Sequence, residues 1–246
     1  MPEPHDVTYP PLDTLKPVAE NVWVVDSGPI NAMGLSLPVR MTVIRLASGG
    51  MWLHSPTRFT EGLRQEIEAI GPLQHLVAPN IAHWSFLKEW QTHCGGVTTS
   101  AAPNLRKRAQ VKAAGVRLDR DLSETAPPDW ADEIEHAIVP GALGFREVAF
   151  FHRPSRTLLL TDLIQNLETK KLPLATRWFA ILTGARNGTS PTQIRLALRP
   201  NRAEAAESVR RMIGWGPERV IFAHGRYFVR DGTRQLGRAM EWLVRQ

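Results

Sequence analysis

The chain has 246 residues, of which 43% are hydrophobic and 22% are charged. This composition is typical of a folded globular protein and excludes a disordered tail, and the length suits one layered α/β domain. The net charge of +6 allows attraction to nucleic acid, anionic lipid or an acidic substrate without choosing among them. The lone cysteine, Cys94, excludes an intrachain disulfide and a zinc site built from cysteines, which fits a reducing cytosol.

The N-terminal residues 1–20 are rich in proline and predict an arm that precedes a single domain over residues 21–246. This start lacks the basic residues and the apolar run of a signal peptide, so we expect a cytoplasmic protein. The longest apolar stretch, residues 174–184, is too short to span a bilayer and contains Arg177. It predicts a buried helix or a helix that forms a lid.

Strands and helices alternate in the first half of the sequence. Thr60 is a suitable N-cap for a helix, because apolar residues recur at helical spacing after it. Apolar and β-branched runs predict strands at residues 22–26, 41–46, 51–54, 75–78 and 97–100. Two further helices are predicted, one from residue 83 or 84 to about 92 and one over residues 104–114.

The second half repeats this organisation. Strand-like runs lie at residues 134–139, 147–152, 157–161, 219–223 and 227–229. Amphipathic helices are predicted after Asn201 and over residues 234–244. Two successive units of sheet and helix indicate an α/β protein with four layers.

Three short segments of the second half carry a family resemblance. Thr161-Asp162 follows RTLLL at the end of a strand, His224-Gly225 ends the segment IFAHG, and PGALGFRE precedes both. Their order and separation resemble the site segments of the metallo-β-lactamase superfamily, and in particular a bacterial branch classed as a domain of unknown function. The resemblance implies a four-layer αββα sandwich, but a fold does not transmit an activity once the site residues differ.

The resemblance also implies that the family's usual two-metal site is largely lost. The three histidines of the first metal are replaced by side chains that offer no lone pair, Pro79, Ile81 and Ala142. The second site keeps more donors, because His83 stands at its usual aspartate position, while Asp162 and His224 match the bridging aspartate and the last histidine. The resemblance therefore implies one divalent metal, Zn, Fe or Mn, at His83, Asp162 and His224, or no metal.

Three further residues are candidates for a role beside such a metal. His54 lies where the family often has an aspartate at a strand end, which makes it a candidate general base or an orienting residue. Asn80 suits a tight turn, and its amide is also a candidate substrate donor. Arg146 is a candidate for binding an anionic ligand, with a solvated surface position as the alternative.

Three functions remain open at this point. The first is a mononuclear metal hydrolase of a small ester, amide or phosphoester. The second is a metal-free protein that binds a small molecule or another partner in the same cleft, where His83, Asp162 and His224 only satisfy nearby backbone groups. The third, nucleic-acid processing, has little support, because the densest basic run, residues 105–120, predicts a solvated helix face.

Overall fold

The computed structural model describes residues 7–245, in which two β-sheets pack face to face between layers of helices. The first sheet has seven strands in sequence order, antiparallel from β1 to β4 and parallel from β4 to β7. They are β1 Lys16–Ala19, β2 Val22–Ala32, β3 Leu35–Arg45, β4 Met51–His54, β5 Leu73–Ala78, β6 Thr98–Ala101 and β7 Arg120–Asp121. The second sheet has the order β11-β10-β9-β8, with β8 Ile134–Pro140, β9 Arg146–His152, β10 Thr157–Leu159 and β11 Arg219–Ile221.

Helices cover the outer faces of both sheets. The α-helices of the first half are α1 Glu61–Glu68, α2 Leu87–His93 and α3 Ala109–Ala113, and they pack on the first sheet. Those of the second half are α4 Leu174–Thr183, α5 Thr192–Leu198, α6 Arg202–Gly214, α7 Gly232–Ala239 and α8 Glu241–Val244. Within this group, α6 to α8 pack on the second sheet.

Strand alternation divides the core into three apolar layers. On β4, Met51 and Leu53 face the helices of the first half. Trp52 points the other way, toward the second sheet, where its ring lies 5.9 Å from that of Trp130 and 5.2 Å from that of Phe150. A third apolar cluster joins the second sheet to α6, α7 and α8. The predicted four-layer αββα sandwich is confirmed.

Most predicted elements occur, with differences at their ends. Thr60 caps α1, since its Oγ1 accepts a hydrogen bond from the Leu63 amide at 3.2 Å. The helix predicted from residue 83 or 84 begins only at Leu87, because residues 81–86 form turns. The helix predicted over 104–114 is broken at Arg108, whose φ of −70° and ψ of 128° are extended, so a short 3₁₀ turn and α3 stand in its place. The strand predicted at 227–229 is reduced to one bridge between Val220 and Phe228.

β2 and β3 are longer than predicted and form one hairpin. Met33 and Gly34 join them with φ angles of 50° and 83°, the two positive angles that a type I′ turn requires. A register shift between Ser27 and Ile30 accommodates Gly28 and Pro29 within β2. This hairpin forms one wall of the cleft described below.

The segment expected to be an N-terminal arm contributes to the first sheet. Lys16–Ala19 pairs with β2 as the edge strand β1, so the sheet begins inside residues 1–20. Residues 1–6 lie outside the described residues, and the division at residue 20 otherwise stays a prediction. Among the helices of residues 7–245, none has the length and apolar character needed to cross a bilayer.

Candidate metal site

The structure brings His83, Asp162 and His224 together. Each offers one ligand atom, and these atoms lie within 4.8 Å of one another. Nε2 of His83 is 3.4 Å from Oδ2 of Asp162, and Nε2 of His224 is 3.2 Å from Oδ1. In residues 7–245 no other group of three or more His, Cys, Asp or Glu side chains has this arrangement.

The three residues converge because each follows the end of a strand. His83 lies in the turns after β5, Asp162 follows β10, and His224 follows β11. β10 and β11 are parallel, so their carboxyl ends meet at the same sheet edge. The amide of Val148 donates to the carbonyl of Pro79 at 2.8 Å and ties the turn after β5 to the second sheet.

His224 is held from its outer side. Its Nδ1 lies 2.8 Å from the Pro38 carbonyl, which accepts the Nδ1 proton, so Nε2 is the nitrogen that faces Asp162. The buried guanidinium of Arg40 donates to the carbonyls of Phe222 and Gly225 at 3.0 and 2.7 Å. Gly225 has a φ of 92°, and a Cβ there would lie 2.1 Å from the Asn166 carbonyl oxygen, so this turn requires glycine.

His83 is held in the same way by Ser55. Its Nδ1 lies 2.7 Å from the hydroxyl of Ser55, which directs Nε2 toward Asp162. Ser55 follows β4 directly and has a φ of 55°. Sequence reasoning missed this residue; its position just after a strand end, beside His54, was the available signal.

The Asp162 loop rests on a buried carboxylate. Glu147, on β9, is fully buried and accepts hydrogen bonds from the amides of Thr161, Asp162 and Leu163 at 2.8 to 3.3 Å. Burial and the charge of Asp162 raise the pKa of Glu147. Sequence reasoning missed this role of Glu147.

The charges of the three residues complement one another. Burial alone would raise the pKa of Asp162, but the charge and hydrogen bonds of His83 and His224 hold it well below its usual value. Burial disfavours the His224 imidazolium, yet the hydrogen bond and charge of Asp162 raise the pKa of His224. The site therefore carries a stable carboxylate that favours positive charge beside it, from a proton or from a metal.

A cleft of about 610 Å³ opens at these residues, a size that suits a small molecule. The hairpin of β2 and β3 supplies an apolar wall with Ile30, Met33, Leu35, Leu37 and Val39. Further apolar lining comes from Trp84, Phe86 and, on α4, Phe179. Most of the cleft surface is therefore apolar, and the polar metal candidates lie at one part of it.

Comparison with known proteins identifies the family. A family model described as a domain of unknown function, DUF4336, matches residues 19–192. The chain belongs to this family. A search of the curated proteins finds no match.

Solved structures similar to this DUF4336 chain are metallo-β-lactamases. The metallo-β-lactamase from Pontibacter korlensis has a TM-score of 0.57 at 13% identity and covers 94% of this chain and 99% of its own. The FIM-1 enzyme from Pseudomonas aeruginosa, in its mono-zinc form, has a TM-score of 0.56 at 14% identity, covering 95% and 96%. The enzyme from Hirschia baltica has a TM-score of 0.61 at 12% identity, covering 94% and 97%. At this identity the likeness establishes the fold alone.

Asn80 does not reach the cleft of this DUF4336 protein as a substrate donor. Its side chain is fully buried, and Nδ2 donates to Oδ2 of Asp162 at 2.7 Å and to Oγ1 of Thr161 at 3.0 Å. Its Oδ1 accepts from the amides of Ala82 and His83 at 2.8 and 2.9 Å. Asn80 therefore links the His83 turn to Asp162 and has no free group for a ligand.

Arg146 is also absent from the residues that line the cleft. Alternation along β9 turns Glu147 toward Asp162 and Arg146 away from it. The guanidinium donates to the carbonyls of Gly141 and Phe145, both at 2.8 Å. It stabilises the turn before β9, and its position gives no support to the expected contact with an anionic ligand in this cleft.

His54 faces the space between the two sheets and is absent from the cleft lining. It follows Trp52 by two residues on β4, so alternation gives both rings the same direction, and they stack with centroids 6.0 Å apart. Phe150 lies edge-on at 5.5 Å. Neither the expected general base nor the orienting role is supported; Ser55, not His54, contacts His83.

Because His54 is buried, we expect the folded protein to lose stability in acid. Burial, followed by the charge of His83, lowers the pKa of His54 from 6.5 to about 3. The unfolded chain binds a proton below pH 6.5 and the folded chain does not, so stability falls as the pH drops below this value. The free energy of unfolding should fall from pH 7 to pH 4 in both the native protein and the His54→Leu variant. We expect the fall to be about 3 kcal/mol larger in the native protein. Urea titrations at pH 7 and pH 4 measure the two free energies of unfolding. The control is His93→Leu, which replaces an exposed histidine and should behave like the native protein. Equal losses of stability in the native protein and in His54→Leu would contradict this prediction.

The contact between Ser55 and His83 leads to a second prediction, which concerns the affinity for a metal. If its hydroxyl orients His83, Ser55→Ala weakens zinc binding about tenfold while the fold is retained. Competition with a chromophoric chelator measures the affinity, and Ser85→Ala in the same cleft is the matched control. Equal affinities for the two variants would show that Ser55 does not orient a ligand.

Proposed function

We propose that this protein is a mononuclear metal-dependent hydrolase in which His83, Asp162 and His224 hold one divalent cation. The supporting observation is the convergence of the donors, with Nε2 of His83 3.4 Å from Oδ2 of Asp162 and Nε2 of His224 3.2 Å from Oδ1. Bonds of about 2.0–2.1 Å in a tetrahedral zinc site place ligand atoms about 3.3–3.4 Å apart. Two imidazoles and one carboxylate suit zinc, and they also suit iron or manganese.

The restriction to one cation rests on Asn80. Its amide nitrogen lies among the oxygens of Asp162, Thr161 and, at 3.5 Å, Glu147. It donates to Oδ2 of Asp162, and Pro79, Ile81 and Ala142 supply no ligands for a second cation. The solved mono-zinc form of FIM-1 supports the compatibility of this fold with a single zinc ion.

The cleft favours a substrate with an apolar body. When bound, such a cation supplies Lewis-acid chemistry and activates water for hydrolysis of an ester, amide or phosphoester. The apolar wall of the hairpin and Phe179 would bury the substrate body and exclude bulk water. Glu147 and Asn80 would keep Asp162 fixed while the substrate binds. A cytoplasmic location remains part of this proposal.

A metal-free ligand-binding protein is the second candidate. The raised pKa of His224 favours an imidazolium that pairs with Asp162 at 3.2 Å, an arrangement that needs no metal. Under this alternative, an apolar ligand raises the melting temperature equally with and without EDTA. A shift that disappears on chelation contradicts it.

Hydrolysis of a panel of aryl esters and an aryl phosphodiester tests the proposed activity. We expect turnover by the zinc-loaded protein, loss of turnover after chelation, and recovery on adding zinc. The His224→Ala variant should be inactive under all three conditions, while exposed His93→Ala should match the native protein. Activity that survives chelation, or that His224→Ala retains, would contradict a metal-dependent hydrolase at this site.

A further inference from the structure

The positive charge of the chain is concentrated in one segment. Residues 169–203 contain seven basic residues and no acidic residue. The rest of the chain holds twenty-three basic and twenty-four acidic residues, so this segment accounts for the net charge of +6. It comprises α4 and α5 and the connections that flank them.

The same segment exposes large apolar side chains. On α4, Leu174, Trp178 and Leu182 are 71%, 59% and 77% exposed and recur every fourth residue, which aligns them on one face. The opposite face buries Thr176 and Ala180. The stripe therefore does not stabilise α4 by packing into the protein core.

The hairpin of β2 and β3 extends the apolar surface. Its turn residue Met33 is fully exposed, and the Ser36 amide donates to Oγ1 of Thr176 on α4 at 3.0 Å. Met33 and Phe179, also on α4, both line the cleft. The exposed stripe thus lies next to the apolar entrance of the candidate site.

Basic residues flank both ends of this stripe. Lys170 precedes α4 and Arg186 follows it, and both side chains are exposed. An apolar face bordered by Lys and Arg, with a tryptophan among leucines, is the pattern of a helix that lies in the interface of an anionic bilayer. We call Leu174, Trp178, Leu182 and Met33, with Lys170 and Arg186, the docking face.

We propose that the docking face binds the surface of an anionic lipid bilayer. Leucine, methionine and tryptophan side chains would enter the headgroup boundary, and the basic segment would approach the lipid phosphates. A second copy of the chain fits less well, because a symmetric dimer through this face would bring two strongly basic segments together. A nucleic acid accounts for the charge but leaves the aliphatic stripe without a partner.

This arrangement places the cleft entrance beside the lipid. Because Met33 belongs to both the docking face and the cleft lining, a molecule with an acyl chain could pass from the bilayer into the cleft without crossing water. This consequence for the substrate rests on the proposed hydrolase, whereas bilayer binding does not.

Vesicle flotation with metal-stripped protein in EDTA tests the docking face independently of catalysis. We expect binding to phosphatidylcholine vesicles that contain phosphatidylglycerol, weak binding to pure phosphatidylcholine, and release by high salt. The variant Leu174→Ser/Trp178→Ser/Leu182→Ser should bind at least about tenfold more weakly, and Lys170→Glu/Arg186→Glu should also lose affinity. The control Leu143→Ser/Val229→Ser, with both side chains exposed elsewhere, should bind like the native chain.

Three outcomes would overturn the proposal. The first is an absence of flotation with anionic vesicles, and the second is equal binding by the triple-serine and control variants. The third is evidence for another occupant of this face. Such evidence would be a dimer of the native chain in size-exclusion chromatography that is absent for the triple-serine variant, or tighter binding to a mixed-sequence RNA than to the vesicles. Melting temperatures show that each variant is folded, as expected for changes to exposed side chains.

Discussion

Replacing His224 by alanine is expected to lower the affinity for zinc by more than about a hundredfold. The side chain is 5% exposed, and its Nε2 faces Asp162 while the Pro38 carbonyl fixes the other nitrogen. The variant keeps only His83 and Asp162, and two donors hold a divalent cation poorly at neutral pH. Competition with a chelator of known affinity measures the change.

The exposed His93 provides the matched control for this experiment. Its ring stacks on Phe59 with centroids 4.4 Å apart, on α2 and outside the cleft. His93→Ala should therefore bind zinc like the native chain. Similar affinities for His224→Ala and His93→Ala would mean that His224 is not a ligand, and the imidazolium pair with Asp162 would then be favoured.

Glu147→Leu is expected to lower the free energy of unfolding by about 3 kcal/mol. The carboxylate accepts from three consecutive amides, those of Thr161, Asp162 and Leu163, and all three would lose their acceptor in a buried place. Relief from burying a charge offsets part of the loss, because burial raises the pKa of Glu147. Urea denaturation at neutral pH measures the change.

Glu147→Gln separates hydrogen bonding from charge. It keeps one acceptor oxygen of the same length, so we expect it to recover a substantial part of the lost stability. Zinc affinity should also fall in Glu147→Leu, because the Asp162 loop loses its support. A leucine variant as stable as the native chain would refute the supporting role.

Local patterns in the sequence were sufficient to predict many of the strands and helices. β4 and β8 are short apolar runs with clear ends, and Thr60 is followed by helical spacing, so each could be predicted from its own segment. The long hairpin was harder to predict. Its type I′ turn at Met33-Gly34 lacks the usual asparagine, and Gly28 and Pro29, residue types that disfavour a strand interior, lie at a bulge inside β2.

The site was predictable only in part. The family resemblance indicated the three converging residues, but their partners come from other strands of the two sheets. No local pattern shows that Ser55 meets His83 or that Glu147 lies beneath Asp162. His54 is different, because strand alternation with Trp52 would have placed it between the sheets.

One divalent cation is expected to bind at His83, Asp162 and His224. Isothermal titration of zinc into chelator-stripped native protein tests this most directly. We predict one equivalent of tightly bound zinc, and no such binding by the variants His83→Ala and His224→Ala. A native protein that binds no zinc, or one equivalent of zinc that both variants retain, would show that these residues do not hold a metal.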